Sequence, residues 1–118
     1  MIEIIVLNYL LSEGFAAYLE MPQNTPQFPI VIIQKTGSSK YNMIESSTIA
    51  IQSYANTLYE AAALNDQIKV AMEEAVEVDE ITKVSLNSDY NFTDTRTKRY
   101  RYQAVFDLVH YRRENVER

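Results

Sequence analysis

The stretch Pro29-Ile30-Val31-Ile32-Ile33-Gln34-Lys35 decides the fold. Four successive β-branched residues, apolar on both sides, predict a strand in the interior of a sheet. Thr36-Gly37-Ser38-Ser39-Lys40-Tyr41-Asn42 reads as an exposed loop. A second strand is predicted over residues 46–54, where Ile49, Ile51 and Ser53 alternate with Thr48, Ala50 and Gln52. The two strands and their polar loop make a long antiparallel hairpin.

Downstream, Thr57-Leu58-Tyr59-Glu60 is a capping box: the threonine oxygen accepts from the glutamate amide and the glutamate reaches back. The spacing predicts a helix over 58–76 with Leu58, Ala61, Ala62, Asn65, Ile68, Met72 and Ala75 on one face. Its alanines allow a close approach to a sheet. Glu73, Glu74 and Glu77 lie at its C-terminal end, against the helix dipole, which a cationic neighbour would offset. Residues 81–88 read as a strand with Ile81, Val84 and Leu86 as its apolar members, and 89–98 as polar and turn-rich. The last strand spans 99–111. Tyr100, Tyr102, Ala104, Phe106 and Leu108 share one side, and Arg101, Gln103, Val105, Asp107, Val109 and Tyr111 share the other.

Upstream, Ile2, Val6, Tyr9 and Leu10 recur at helical spacing, widened by Leu7 and Leu11, which predicts a helix over 2–13. Gly14 stands where a left-handed cap is usual. A short strand over 15–21 comes next, then a connector holding Pro22, Pro26 and Pro29. The expected fold is therefore α+β: an antiparallel or mixed sheet of four to five strands with two helices packed on it, in the order α-β-β-β-α-β-β. Residues 1–118 form one domain, with a polar tail at 112–118.

The chain has 118 residues, enough for one core. It has no cysteine, which removes disulfides, thiolate metal sites and cysteine nucleophiles. A single histidine, His110, argues against His-rich metal sites, and two glycines leave no phosphate-cradling loop. No apolar run approaches the ~20 residues of a membrane span. The start of the chain has an acid, no positive flank and no small-residue cleavage site, so the protein is expected to stay where it is made.

Charge is divided unevenly. Residues 1–95 hold four lysines against thirteen acids, net −9, and residues 96–118 hold seven bases against three acids, net +4, which together give −5. An acidic body with a basic end suits nucleic acid or a second copy of the chain, and equally a solvated strand end with a polar tail. Glu73 and Glu77, one turn apart, are a possible cation or acid–base pair, but no calcium-type loop accompanies them, and a solvated helix end is the preferred reading. His110 lies near Asp107 in sequence without an elbow serine, and reads as an ordinary half-exposed strand histidine. Tyr90, Tyr100 and Tyr102 flank Arg96, Lys98, Arg99 and Arg101. Such interleaving suits single-stranded nucleic acid, but a cross-strand aromatic ladder is favoured over it. Nine tyrosines without a tryptophan also suit an interface.

A distributed pattern adds to this reading. A helix leads to Tyr18-Leu19-Glu20, a proline-bearing connector, then Ile30-Val31-Ile32-Ile33-Gln34-Lys35-Thr36-Gly37. Ile49-Ala50-Ile51-Gln52-Ser53-Tyr54-Ala55 runs into a helix marked by Glu60-Ala61-Ala62, and Ser88-Asp89-Tyr90-Asn91-Phe92-Thr93-Asp94 precedes Tyr100-Arg101-Tyr102-Gln103-Ala104-Val105-Phe106. From about residue 2 to residue 111 the chain resembles the small tail terminator, or head–tail joining, proteins of long-tailed bacteriophages, closest to the minor capsid proteins of phages and prophages of Gram-positive bacteria.

The resemblance implies a structural virion protein and not an enzyme, with no cofactor and no metal. It implies a homo-oligomeric ring, usually a hexamer, that caps the tail tube protein and ends tail polymerisation. The ring then meets the head-completion or connector protein, and DNA passes through its lumen unread. The implied location is the virion's head–tail junction, and the host cytoplasm during assembly, with no membrane contact. Interface candidates are Arg96, Lys98, Arg99 and Arg101 in the basic segment, Lys40 and Tyr41 in the hairpin loop, and Glu73 and Glu77 on the acidic body. The alternatives are a head-completion stopper or adaptor at the same junction, and a small nucleic-acid-binding module using residues 96–101. An enzyme would need a convergent acid–base constellation, which the sequence lacks.

Overall fold

The computed structural model describes residues 1–24, 26–41 and 43–111. The expected polar tail at 112–118, with Arg112, Arg113 and Arg118, and Asn42 of the expected loop lie outside the described residues. In chain order the elements are α1 (Ile2–Ser12), β1 (Ala17–Tyr18), β2 (Ile30–Tyr41), β3 (Ile44–Ala55), α2 (Leu58–Glu73), a 3-10 turn (Ala75–Glu77), β4 (Ile81–Asn91) and β5 (Tyr100–Tyr111). The strands form one sheet in the order β1-β2-β3-β5-β4. β1 runs parallel to β2 and every other pairing is antiparallel, so the protein is α+β with a five-stranded mixed sheet and two helices.

β3 is the middle strand. It pairs with β2 from Tyr54↔Ile30 to Ile44↔Tyr41, and with β5 from Ala55↔Tyr100 to Ile44↔Tyr111. The register fixes two faces. Val31, Ile33, Ile49, Ile51, Ala104, Phe106 and Leu108 lie under the helices, where they meet Val6 and Leu10 of α1 and Leu64, Ile68 and Met72 of α2. Burying each large aliphatic side chain contributes about 1.5–3 kcal/mol. On the far face the proline-bearing connector folds back, and its Met21 and Phe28 pack on Ile30, Ile32 and Tyr54.

Local chemistry ends the helices. Gly14 has φ +96°, the Phe15 amide donates to Leu10 O at 3.0 Å and the Gly14 amide to Leu11 O at 3.0 Å, a complete Schellman cap. At α2 the Glu60 amide donates to Thr57 Oγ1 at 3.1 Å, half of the capping box. Tyr9 Oη donates to Ala71 O at 2.7 Å and ties the two helices together.

Several expectations change. Residues 36–41 are not a loop: β2 continues to Tyr41 and β3 begins at Ile44, with a register shift between Lys35 and Gly37. Small polar residues disfavour a strand locally, but β5 runs beside β3 as far as Tyr111 and supplies the pairing that holds the hairpin extended. The strand expected at 15–21 shrinks to Ala17–Tyr18, because only those residues pair in register with β2. α2 stops at Glu73, and its buried side includes Leu64 and Ala71, while Leu58 is exposed. β4 extends to Asn91 because Asp89, Tyr90 and Asn91 pair with β5.

Because β3 is flanked on both sides to its start, amides of residues 44–48 are expected to exchange slowly by hydrogen–deuterium exchange; rapid exchange there would mean that the hairpin opens. Thr57→Ala should cost about 1 kcal/mol and Ile68→Ala about 2–5 kcal/mol in urea denaturation.

Candidate functional site

β4 is the edge strand whose helix-side face is least covered. A helix is about 10 Å across and strands lie about 4.8 Å apart, so two helices span about four strands. α1 lies over β1 and β2, and α2 lies chiefly over β3 and β5 with one margin reaching β4. The outermost strand is left open beside α2, as a groove of about 480 Å³. Val84 and Leu86 form its strand wall, Phe106 its floor, and Asp66, Val70 and Glu73 its helix wall. Val70 is 59% exposed and Leu86 49%.

Lys69 closes one end. Its Nζ lies 2.7 Å from Asp89 Oδ2 and 3.3 Å from Asp66 Oδ1. Asn65 Nδ2 donates to the same Asp89 oxygen at 3.1 Å. The Asp89 carboxylate raises the Lys69 pKa above its ordinary value, so the ammonium is firmly charged and already engaged.

A second apolar region lies at the hairpin tip. The pairings Tyr41↔Ile44 and Ile44↔Tyr111 put these residues in one cross-strand row, with Met43 at the turn. Tyr41 is 78% exposed and Tyr111 56%, and Met43 and Ile44 are exposed as well. Lys40 is the next residue, opposite Glu45, and its side chain lies on the other face of the hairpin.

The basic segment lies at the opposite end of β5, about 36 Å away along the strand. Asp94 and Arg99 bridge the turn through paired amides, at 3.2 and 3.3 Å, and the Arg96 amide donates to Asp94 Oδ1 at 3.0 Å. That bond holds the Asp94 carboxyl below its ordinary pKa. Lys98 takes a left-handed φ of 56°. Arg96, Lys98 and Arg99 are exposed.

Arg101 is committed inside the chain. Its Nε donates to Phe92 O at 2.6 Å and its Nη1 to Tyr54 Oη at 2.7 Å. The guanidinium lies 4.3 Å from the Phe92 ring centroid. Sequence alternation gives its face but not these partners, which come from β3 and from the residue just after β4. The same far face carries a polar ladder: Gln52 Nε2 donates to Gln103 Oε1 at 2.8 Å, and Gln103 Nε2 donates to Tyr90 Oη at 2.6 Å.

The eight interface candidates thus fall in different places. Lys40 and Tyr41 share the tip, Glu73 rims the groove, and Arg96, Lys98 and Arg99 sit in the far turn. Glu77 lies on the α1 side, where with Glu13 and Glu74 its charge adds to burial in raising the Tyr9 pKa. Sequence reasoning does not pick out Val70 or Leu86 as exposed surface. Val70 lies off the apolar stripe of its helix, which is a legible sign; the exposure of Leu86 has none.

His110 is not half-exposed, as expected, but buried at 4% accessibility. Its Nε2 shares a 2.8 Å hydrogen bond with buried Ser47 Oγ. Asp107 is on the far face, where it accepts from Thr48 Oγ1 and Asn87 Nδ2. Burial lowers the His110 pKa, against the opposing pull of Glu45. Among the described residues no group of three or more His, Cys, Asp or Glu side chains is placed to hold a metal ion. Among the same residues no helix is long and apolar enough to cross a membrane. A scan of protein families finds none that matches the chain, and a search of curated proteins finds no match.

Two outcomes are expected. With its folded pKa below the ordinary value of about 6.5, His110 contributes stability that is complete above that pH and is lost as pH falls through it towards the folded pKa, at up to about 1.4 kcal/mol per pH unit. Chemical denaturation of wild type and His110→Gln across this window checks it: the variant should lack that component of the slope. Arg101→Ala should cost about 1–3 kcal/mol, because it removes two hydrogen bonds and a cation–π contact, whereas Arg99→Ala should stay within about 0.5 kcal/mol. Equal effects of the two variants would refute the internal role.

Proposed function

We propose that this chain is a structural subunit of a long-tailed phage, a tail terminator that assembles as a ring on the end of the tail tube and presents a surface to the head connector. The station is supported by the sequence resemblance over residues 2–111. The observation that carries the assembly reading is that the exposed apolar side chains include two unlike patches: the hairpin tip at Tyr41, Ile44 and Tyr111, and the groove at Val70 and Leu86. Exposed apolar patches mark association sites, and two different patches on one chain favour head-to-tail contacts, the kind that closes into rings. The fold class agrees with the one the resemblance implies.

The nucleic-acid alternative receives less support. Of the four bases at 96–101, Arg101 is occupied by Tyr54 and Phe92, and the body around them is acidic. In the proposed ring DNA passes without being read.

Light scattering at micromolar protein should show a species well above 13.7 kDa, and negative-stain images should show rings on isolated tails. Rings found only on DNA-filled heads would assign the stopper station instead. A monomer that also forms no ring on particles would defeat the reading, and tight sequence-dependent DNA binding would favour the nucleic-acid module.

A further inference from the structure

We propose that the buried His110–Ser47 pair is an acid-sensitive latch: a proton taken up by the imidazole opens the start of β4, residues 78–83, while the rest of the sheet stays closed. The device is independent of the tail-terminator reading.

The pair lies where three strands meet at one end of the sheet. His110 stands opposite Glu45 of β3 and opposite Ile81 of β4, and its Nε2 is 2.8 Å from Ser47 Oγ. His110, Ser47 and Ile81 are all buried. A neutral imidazole bonded to a hydroxyl suits such a place. An imidazolium does not, because a charge taken out of water is compensated only in part by a neutral hydroxyl. Burial is the largest influence on the ring and disfavours the proton. Glu45 on β3 and the Tyr111 backbone favour it, while Lys35 on β2 and the Met1 amino group at the start of α1 oppose it. Lys40, opposite Glu45, offsets part of that carboxylate's pull. On β4 the ring's neighbour is apolar Ile81, and Lys83, opposite Val109, is on the far face.

Of the walls around the ring, the start of β4 is the weakest. β3 and β5 are interior strands, whereas β4 is an edge strand with one neighbour. Its pairing with β5 is irregular between Ile81 and Lys83. Around that irregularity the Tyr111 amide donates to Glu80 O at 3.1 Å and Thr82 Oγ1 donates to Val109 O at 2.9 Å. On its α1 side the segment borders a cavity of about 460 Å³, lined by Ile4, Ile5, Tyr9, Val78 and Glu80, which gives it room to swing. Local opening is cheapest where a strand end has few partners and an open side.

Opening brings water to the imidazole and frees the Tyr111 amide and the Val109 carbonyl. Acid therefore bares a stretch of strand edge beside the hairpin-tip row. The sign follows from burial: closed, the ring binds a proton less readily than its ordinary value of about 6.5, and open, it binds at that value. The open fraction is constant above that pH and grows as pH falls towards the closed-state value, by up to about tenfold per pH unit.

His110 is the chain's only histidine, so an NMR titration reads its imidazole directly. Its midpoint should lie below about 6.5. Native-state hydrogen exchange at about pH 7, 6 and 5, in low urea, then locates the opening. The Tyr111 and Ile81 amides should exchange through an opening that grows by up to about tenfold per pH unit and barely responds to urea, since little surface is exposed. The Ile49 and Ile51 amides should respond strongly to urea, as global unfolding does. In His110→Gln the growth with acid at Tyr111 and Ile81 should vanish. Glu45→Gln, at a half-exposed position, keeps the histidine and serves if His110→Gln does not fold. It should lower the imidazole midpoint and extend the acid-driven growth to lower pH. Urea dependence at Tyr111 and Ile81 equal to that at Ile49 would overturn the latch, because opening there would be global only. So would a midpoint at or above the ordinary value, an opening that ignores pH, the same pH dependence in His110→Gln, or an unchanged midpoint in Glu45→Gln.

Discussion

The structure depends on β3 being paired along both edges from Ile44 to Tyr54. A central strand has to satisfy its backbone through neighbours on each side, and it buries apolar side chains on both faces. Ile49 and Ile51 point to the helices, Ala50 and Tyr54 to the far face, and all four are buried. α1 and α2 then have one apolar floor to pack on, and the proline connector has another. The length of β3 also sets the reach of the hairpin: as long as β5 continues beside it, β2 stays extended past the helices that would otherwise cover it.

Coverage is the second constraint, and it generates the candidate surfaces. Two helices span about four strands, so the helix-side face of β4 is left beside a groove. The same shortage of cover leaves the hairpin tip exposed at the far end of β3. Neither surface arises from an unusual sequence feature. Both come from a sheet that is wider and longer than the elements that pack on it.

Polar side chains on the far face bond mostly to one another. Arg101 reaches Tyr54, and Gln103 joins Gln52 to Tyr90. This accounts for part of the tyrosine content without any ligand, since a cross-strand ladder of amides and phenols satisfies groups that the strands leave half-buried. It also separates the bases at 96–101 into three that are exposed in the turn and one that belongs to the fold. Buried Ser47 and His110 make a comparable pair on the helix side, and it ties β3 to the C-terminal end of β5.

Much of this was legible in the chain. The β-branched run at 30–33, the capping box at 57–60, the glycine at 14 and the alternation at 100–108 each act over a few residues, so the α+β class, the helix positions and the inward side of β5 could be read directly. Lys40, Tyr41 and Glu73 could be named as surface candidates, although not what they adjoin. The extension of β2 through Gly37-Ser38-Ser39 ran against local propensity, because its pairing comes from β3, which is held in turn by β5 more than fifty residues further along the chain. The commitment of Arg101, the burial of His110 and the exposure of Leu86 were likewise settled by partners distant in sequence. Periodicity determines which side of an element is apolar; whether that side is covered depends on how many helices share the sheet and which strand comes last, and only the assembled tertiary structure decides that.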